Sequence, residues 1–118
     1  MITQQMNRGI MGAEVISRIH TPAAATNAVV TVAADAIRKH VIHSVEWSYS
    51  AAPTGGRLTI EDGAGTIIFD VDIIAGGPGG FSFTRAGSPN KALIITLFSG
   101  GGVVVGKLNV QTTSIGAS

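Results

Sequence analysis

One stretch, VEWSYSAAPTGGRLTIEDGAGTIIFDVDI from Val45 to Ile73, constrains the fold more than any other part of the chain. Apolar side chains fall on every second position: Val45, Trp47 and Tyr49, then Leu58 and Ile60, then Ile67, Phe69, Val71 and Ile73. A period of two places alternate side chains on opposite faces of an extended strand, and no helix can use it. Pro53-Thr54-Gly55-Gly56 and Asp62-Gly63-Ala64-Gly65 interrupt the alternation. The second break is a strong local signal for a hairpin. The stretch therefore reads as three strands and two turns.

The rest of the chain repeats that texture. Sixteen glycines punctuate segments rich in Val, Ile, Thr and Phe. Strands are expected at Val15 to His20, Ala28 to Ala33, Lys39 to Ser50, Arg57 to Glu61, Thr66 to Ile74, around Phe81 and Phe83, Ala92 to Phe98 and Val103 to Val110. Gly76–Gly80 reads as a loop. The segment AADAIRKH, Ala33 to His40, has helix-forming alanines but is too short to stand alone, and a bend fits it better. Without crossover helices a parallel sheet is excluded. The expected fold is all-β: an antiparallel β-sandwich of about eight strands with jelly-roll or related Greek-key topology, a closed eight-stranded barrel being the alternative.

At 118 residues the chain has room for one domain. Residues 1–13 show no period and read as a flexible arm ahead of a domain at 14–118. Only 13% of residues are charged, and the mean hydropathy is +0.39. No run reaches the roughly 18 apolar residues of a membrane helix, so no membrane partner is expected. A net charge of +1, with one short basic cluster at Arg38–Lys39–His40 and few aromatics, argues against nucleic acid. The absence of cysteine removes disulfides and thiolate chemistry. Without disulfides the chain is expected either to assemble in a reducing cytoplasm or to gain stability from oligomerisation, and the N-terminus, which lacks the apolar core of a signal peptide, does not suggest secretion.

Candidate chemistry is sparse. His40 and His43, three apart on a strand, point to opposite faces and cannot share a metal unless the strand is bulged, and nothing in the sequence pairs His20 with them. Asp70 and Asp72 lie on one face near Glu61 and Asp62, which is better explained by a solvated hairpin with Asp62 bracing its turn than by a calcium or glycosidase site. The glycine loops lack the Lys-Ser/Thr of a phosphate cradle, and no Gly-x-Ser-x-Gly elbow exists. Trp47 and Tyr49 follow the core phase, with the Tyr49 hydroxyl near a rim. No enzyme, cofactor or metal is expected.

A second apolar set is the feature left over. If Ile67, Phe69 and Val71 face the core, Ile68 faces out, and Ile42 stands in the same relation to Val41 and Val45. Ile74, Ile94, Phe98, Val103 and Val105 extend the set, mixed with small residues. A half-apolar, nearly uncharged sheet face suits a neighbour, so Ile42, Ile68, Ile74, Ile94, Phe98, Val103 and Val105 are candidate interface residues of a homo-oligomer, with a trimer the specific expectation.

The texture and strand layout of HVIHSVEWSYSAAPTGGRLTIEDGAGTIIFDVDI and ALIITLFSGGGVVVGKLNV resemble small virion proteins of tailed bacteriophages, especially capsid decoration (cement) proteins. The likeness covers about residues 28–110, and no functional residue is carried over from it. It implies a structural protein of the virion: a homotrimer on the capsid surface that binds the major capsid protein or another virion protein and stabilises the head. The arm, with Ile2, Met6, Arg8, Ile10 and Met11, is then the candidate attachment segment. Linked contacts of this kind bind tightly through multivalency, without bond chemistry. A carbohydrate-binding or receptor-binding module of a phage tail is the alternative, and a small cupin-like enzyme a third reading.

Overall fold

The computed structural model of the chain describes residues 14–116, apart from the side chain of Phe83. The arm expected at residues 1–13, with Ile2, Met6, Arg8, Ile10 and Met11, lies outside the described residues. Among the described residues eight strands form: β1 (Ile16–His20), β2 (Ala28–Val32), β3 (Arg38–Tyr49), β4 (Arg57–Asp62), β5 (Ile67–Asp72), β6 (Gly77–Ala86), β7 (Leu93–Leu97) and β8 (Gly106–Gly116). They make two antiparallel sheets, ordered β1-β8-β3-β6 and β2-β7-β4-β5. Only β4 and β5 are chain neighbours that pair, and every other connection crosses between sheets. This is jelly-roll connectivity, and the two separate sheets set the closed barrel aside.

The inner faces meet in one core. Val30 and Val32 of β2, Leu58 and Ile60 of β4, and Leu93, Ile95 and Leu97 of β7 face Ile42, Val45 and Tyr49 of β3 and Leu108 and Val110 of β8. Trp47, Ile68, Phe69 and Val71 pack against its margin. The Trp47 and Phe81 rings lie 5.4 Å apart, and Phe69 meets Phe81 edge-on at 5.3 Å.

Two bulges correct the expected faces. In β3 the pairing steps from Ile42↔Thr112 to Ser44↔Gln111, which leaves His43 as an extra residue. An inserted residue reverses the alternation beyond it. His40 and Ile42 therefore share the inner side with Val45, Trp47 and Tyr49, Val41 takes the outer side, and Ile42 is fully buried. In β5 the step from Ile60↔Phe69 to Glu61↔Ile67 leaves Ile68 extra, so Ile68 packs on the core while Ile67 is half-exposed. Strict alternation would have placed both pairs the other way round.

Three segments also differ from expectation or sharpen it. Gly77–Gly80 is strand: β6 begins there and pairs with Trp47, Ser48 and Tyr49. A side chain at Gly79 would begin 2.7 Å from the Trp47 indole, so glycine lets the strand pass against that ring. Pro78 is tolerated because β6 is a sheet edge. The last strand runs Gly106–Gly116, and Val103–Val105 belong to the loop before it. AADAIRKH is the expected bend: the Asp35 carboxylate accepts the Ile37 amide at 3.0 Å, and β3 starts at Arg38.

Candidate functional site

Successive strands run in opposite directions, so alternate connections lie at opposite ends of the sandwich. The β1–β2, β3–β4, β5–β6 and β7–β8 connections share one end. Residues 21–27, 50–56, 73–76 and 98–105 contain no Asp, Glu, Lys, Arg or His. They are instead Ala, Gly, Pro, Val, Ile, Ser and Thr, with one Asn and one Phe.

Main-chain hydrogen bonds stitch these four loops into one plate. Ala25 N donates to Val104 O at 3.1 Å, Thr54 N to Gly100 O at 2.8 Å, Ser50 N to Val105 O at 2.9 Å and Ile73 N to Gly56 O at 3.0 Å. Neutral side chains complete it: Asn27 Oδ1 accepts the Ser99 amide, Ser50 Oγ accepts the Val105 amide, and the Tyr49 hydroxyl donates to Phe98 O at 2.6 Å. Burial pushes the Tyr49 hydroxyl pKa above its ordinary value, against a smaller opposing effect of the Arg57 backbone. The plate is therefore a preformed surface. Its two most prominent side chains are Ile74, 85% exposed, and Val103, 87% exposed.

Charges stand one residue or so behind it, at Arg57, Asp72 and Lys107. Arg57 makes a bidentate pair with Asp70, 2.8 Å on each arm, and its guanidinium lies 5.0 Å from the centre of the Phe98 ring. That hydrogen-bonded pairing holds the Asp70 carboxyl below the usual carboxylate range and raises Arg57.

The candidate interface residues separate into three groups. Ile74 and Val103 are exposed on two separate loops of the plate, and half-buried Val105 lies in the same loop as Val103. Ile94 and Phe98 are half-buried on the outer side of the β2-β7-β4-β5 sheet. Ile42 and Ile68 do not belong to any outer face, because the bulges turn them inward. Sequence reasoning missed the plate as a unit, although its signal, four alternate connections without a charge, is present in the sequence.

The other candidates hold loops and ladders. His40 is buried, donating from Nε2 to Ala33 O and bonding Ser114 Oγ through Nδ1, both at 2.7 Å. His43 Nε2 meets Thr113 Oγ1 at 2.9 Å on the opposite face. His20 Nδ1 accepts the Val29 amide. Asp62 does not brace its own turn: its carboxylate accepts the Ser88 amide and hydroxyl, while Glu61 takes the Gly65 amide at 2.6 Å. On the outer side of the other sheet an open trough of about 730 Å³ runs past Ser44, Glu46, Ser48, Gly80, Lys107 and Asn109. Among the described residues no helix is long and apolar enough to cross a membrane.

No family model matches the chain, and no curated protein matches it in sequence. Among solved structures the chain is similar to one from Bacillus endospore appendages, described as a family of disulfide-linked pili. The two are 16% identical, the match covers 90% of this chain and 88% of that one, and the TM-score is 0.54. At that identity the likeness shows a shared fold. A second match is to the virus-like particle of the extra small virus of the giant freshwater prawn Macrobrachium rosenbergii, at 13% identity over 86% of this chain and 79% of that one, with a TM-score of 0.35.

Proposed function

We propose that the chain is a structural subunit that works by assembling with copies of itself, and that its particular role is decoration of a phage head as a homotrimer bound to the major capsid protein. The observation that carries this reading is the preformed, uncharged loop end with Ile74 and Val103 exposed, on a jelly roll whose fold is shared with a pilus protein. An exposed apolar surface rimmed by polar groups is what an assembly contact needs. β1 begins at the end of the sandwich opposite the plate. On this reading the segment 1–13 binds the capsid and the domain binds its own kind. The Bacillus appendages are described as disulfide-linked, whereas this chain has no cysteine, so its assembly is non-covalent with respect to thiols. The reading requires no catalytic step and no cofactor.

The test is co-sedimentation with purified phage heads, with light scattering of the free protein. An oligomer that pellets with heads at a fixed ratio, and stops pelleting when residues 1–13 are removed, supports decoration. An oligomer that ignores heads leaves a structural subunit of another particle. A monomer that ignores heads overturns the proposal. The trough favours one second reading, because hydroxyl, amide, carboxylate and ammonium groups at Ser44, Ser48, Asn109, Glu46 and Lys107 suit the hydroxyls of a sugar. Glycan binding that is lost on Glu46→Ala would support it.

A further inference from the structure

We infer that copies of the chain meet plate to plate, through the four uncharged loops at residues 21–27, 50–56, 73–76 and 98–105. The inference rests on the self-assembly reading and names its surface. The occupant is a second copy because of the charge pattern. A plate without any ionisable side chain has nothing to pair with a charged surface, and covering charges without partners is costly. It is complementary to another uncharged, mostly apolar surface. The opposite end of the domain is not one: Asp35, Arg38, Glu61, Asp62 and Lys91 lie in or beside its turns. Head-to-tail stacking would press those groups onto a surface that cannot answer them. A second plate brings no like charges together and covers Ile74 and Val103 of both copies.

Two further features agree. The main-chain hydrogen bonds between the loops fix the surface before any contact, so little ordering is lost on association. The charges just behind the plate are of both signs, Arg57 and Lys107 with Asp72, which gives an uncharged centre and a mixed polar margin.

The experiment is light scattering after gel filtration, across micromolar to millimolar concentrations, on the full chain and two variants. The first is Ile74→Asp with Val103→Asp. The second is Ile37→Asp, a control at the opposite end where Ile37 is 70% exposed. Circular dichroism checks that each is folded. The expected result is an oligomeric wild type, an oligomeric Ile37→Asp and a double variant at the 12.0 kDa of one chain. A folded double variant that keeps the wild-type mass, or dissociation by Ile37→Asp alone, overturns the plate contact and leaves self-assembly standing. A wild type at 12.0 kDa throughout overturns both. Should the double variant fail to fold, Val103→Ser alone decides: a mass that falls at higher concentrations than for the wild type supports the contact, and an unchanged concentration dependence overturns it.

Discussion

At one end of the sandwich the loops are tied by main chain and neutral side chains, with amides running to Val104, Gly100, Val105 and Gly56 carbonyls. At the other end main-chain bonds such as Gly63 N to Ala92 O and Gly87 N to His40 O are joined by ionisable side chains that tie the turns. Asp35 takes the Ile37 amide, Glu61 the Gly65 amide, Asp62 the Ser88 amide, and His40 bonds Ala33 O. A carboxylate closes a turn well where water can solvate its remaining lone pairs. The plate avoids that solution at every turn, at the cost of glycines that let backbones touch. The difference teaches that charge is absent from one end by arrangement, since both ends solve the same bonding problem.

Replacing the ionisable supports should hurt the charged end most. His40→Ala leaves the Ala33 carbonyl and Ser114 hydroxyl without their partner and opens a hole, so a loss of about 3 kcal/mol is expected in urea unfolding. A loss below about 1 kcal/mol would mean that water replaces the imidazole and the contrast between the ends is weaker than drawn. At the plate the sensitive position is Gly56, where a Cβ would collide with the Ile73 carbonyl and the Pro53 ring. Gly56→Ala should cost about 2 kcal/mol. Gly65→Ala at the charged end has open space but a φ of +88°, and should cost about 1 kcal/mol. Equal losses would show that the plate can shift to make room.

Tyr49→Phe removes the bond to Phe98 O beneath the plate, for an expected loss of about 1 kcal/mol. Its pH dependence is diagnostic. Because the folded pKa is raised, the contribution is complete below the ordinary tyrosine value of about 10 and is lost as pH rises through the folded value. Alkaline titration of the unfolding midpoint should show that decline in the wild type and not in Tyr49→Phe. The smallest effect belongs to the exposed Asp70–Arg57 pair at the plate's margin. The Asp70 carboxyl is lowered, so its contribution is present above the ordinary carboxylate range and fades as pH falls through the folded value. Asp70→Asn should flatten that acid limb slightly, most visibly at low salt.

The strand positions were legible from period and punctuation, because Leu58, Ile60, Val45 and Tyr49 alternate without ambiguity and turns at Pro53–Gly56 and Asp62–Gly65 separate them. The Gly77–Gly80 segment was not legible as strand. Glycine reads as loop by propensity, and only the Trp47 ring lying against Gly79 explains its use there. The exposure of the candidate interface residues was legible in part. Ile74 and Val103 are exposed as expected, whereas Ile42 and Ile68 are not. A bulge adds a residue that pairs with nothing, and no residue type announces it.

The sequence by itself determined the two-layer antiparallel fold, since period two without helical crossovers leaves few alternatives, and it determined that four alternate connections carry no charge. The tertiary structure alone decided two things. It set the phase of each strand ahead of the bulges at His43 and Ile68, because pairing with β8 and β4 selects where the extra residue sits. It also made one surface of four distant loops, because hydrogen bonds between residues as far apart as Ala25 and Val104 exist only once the two sheets have closed on their core.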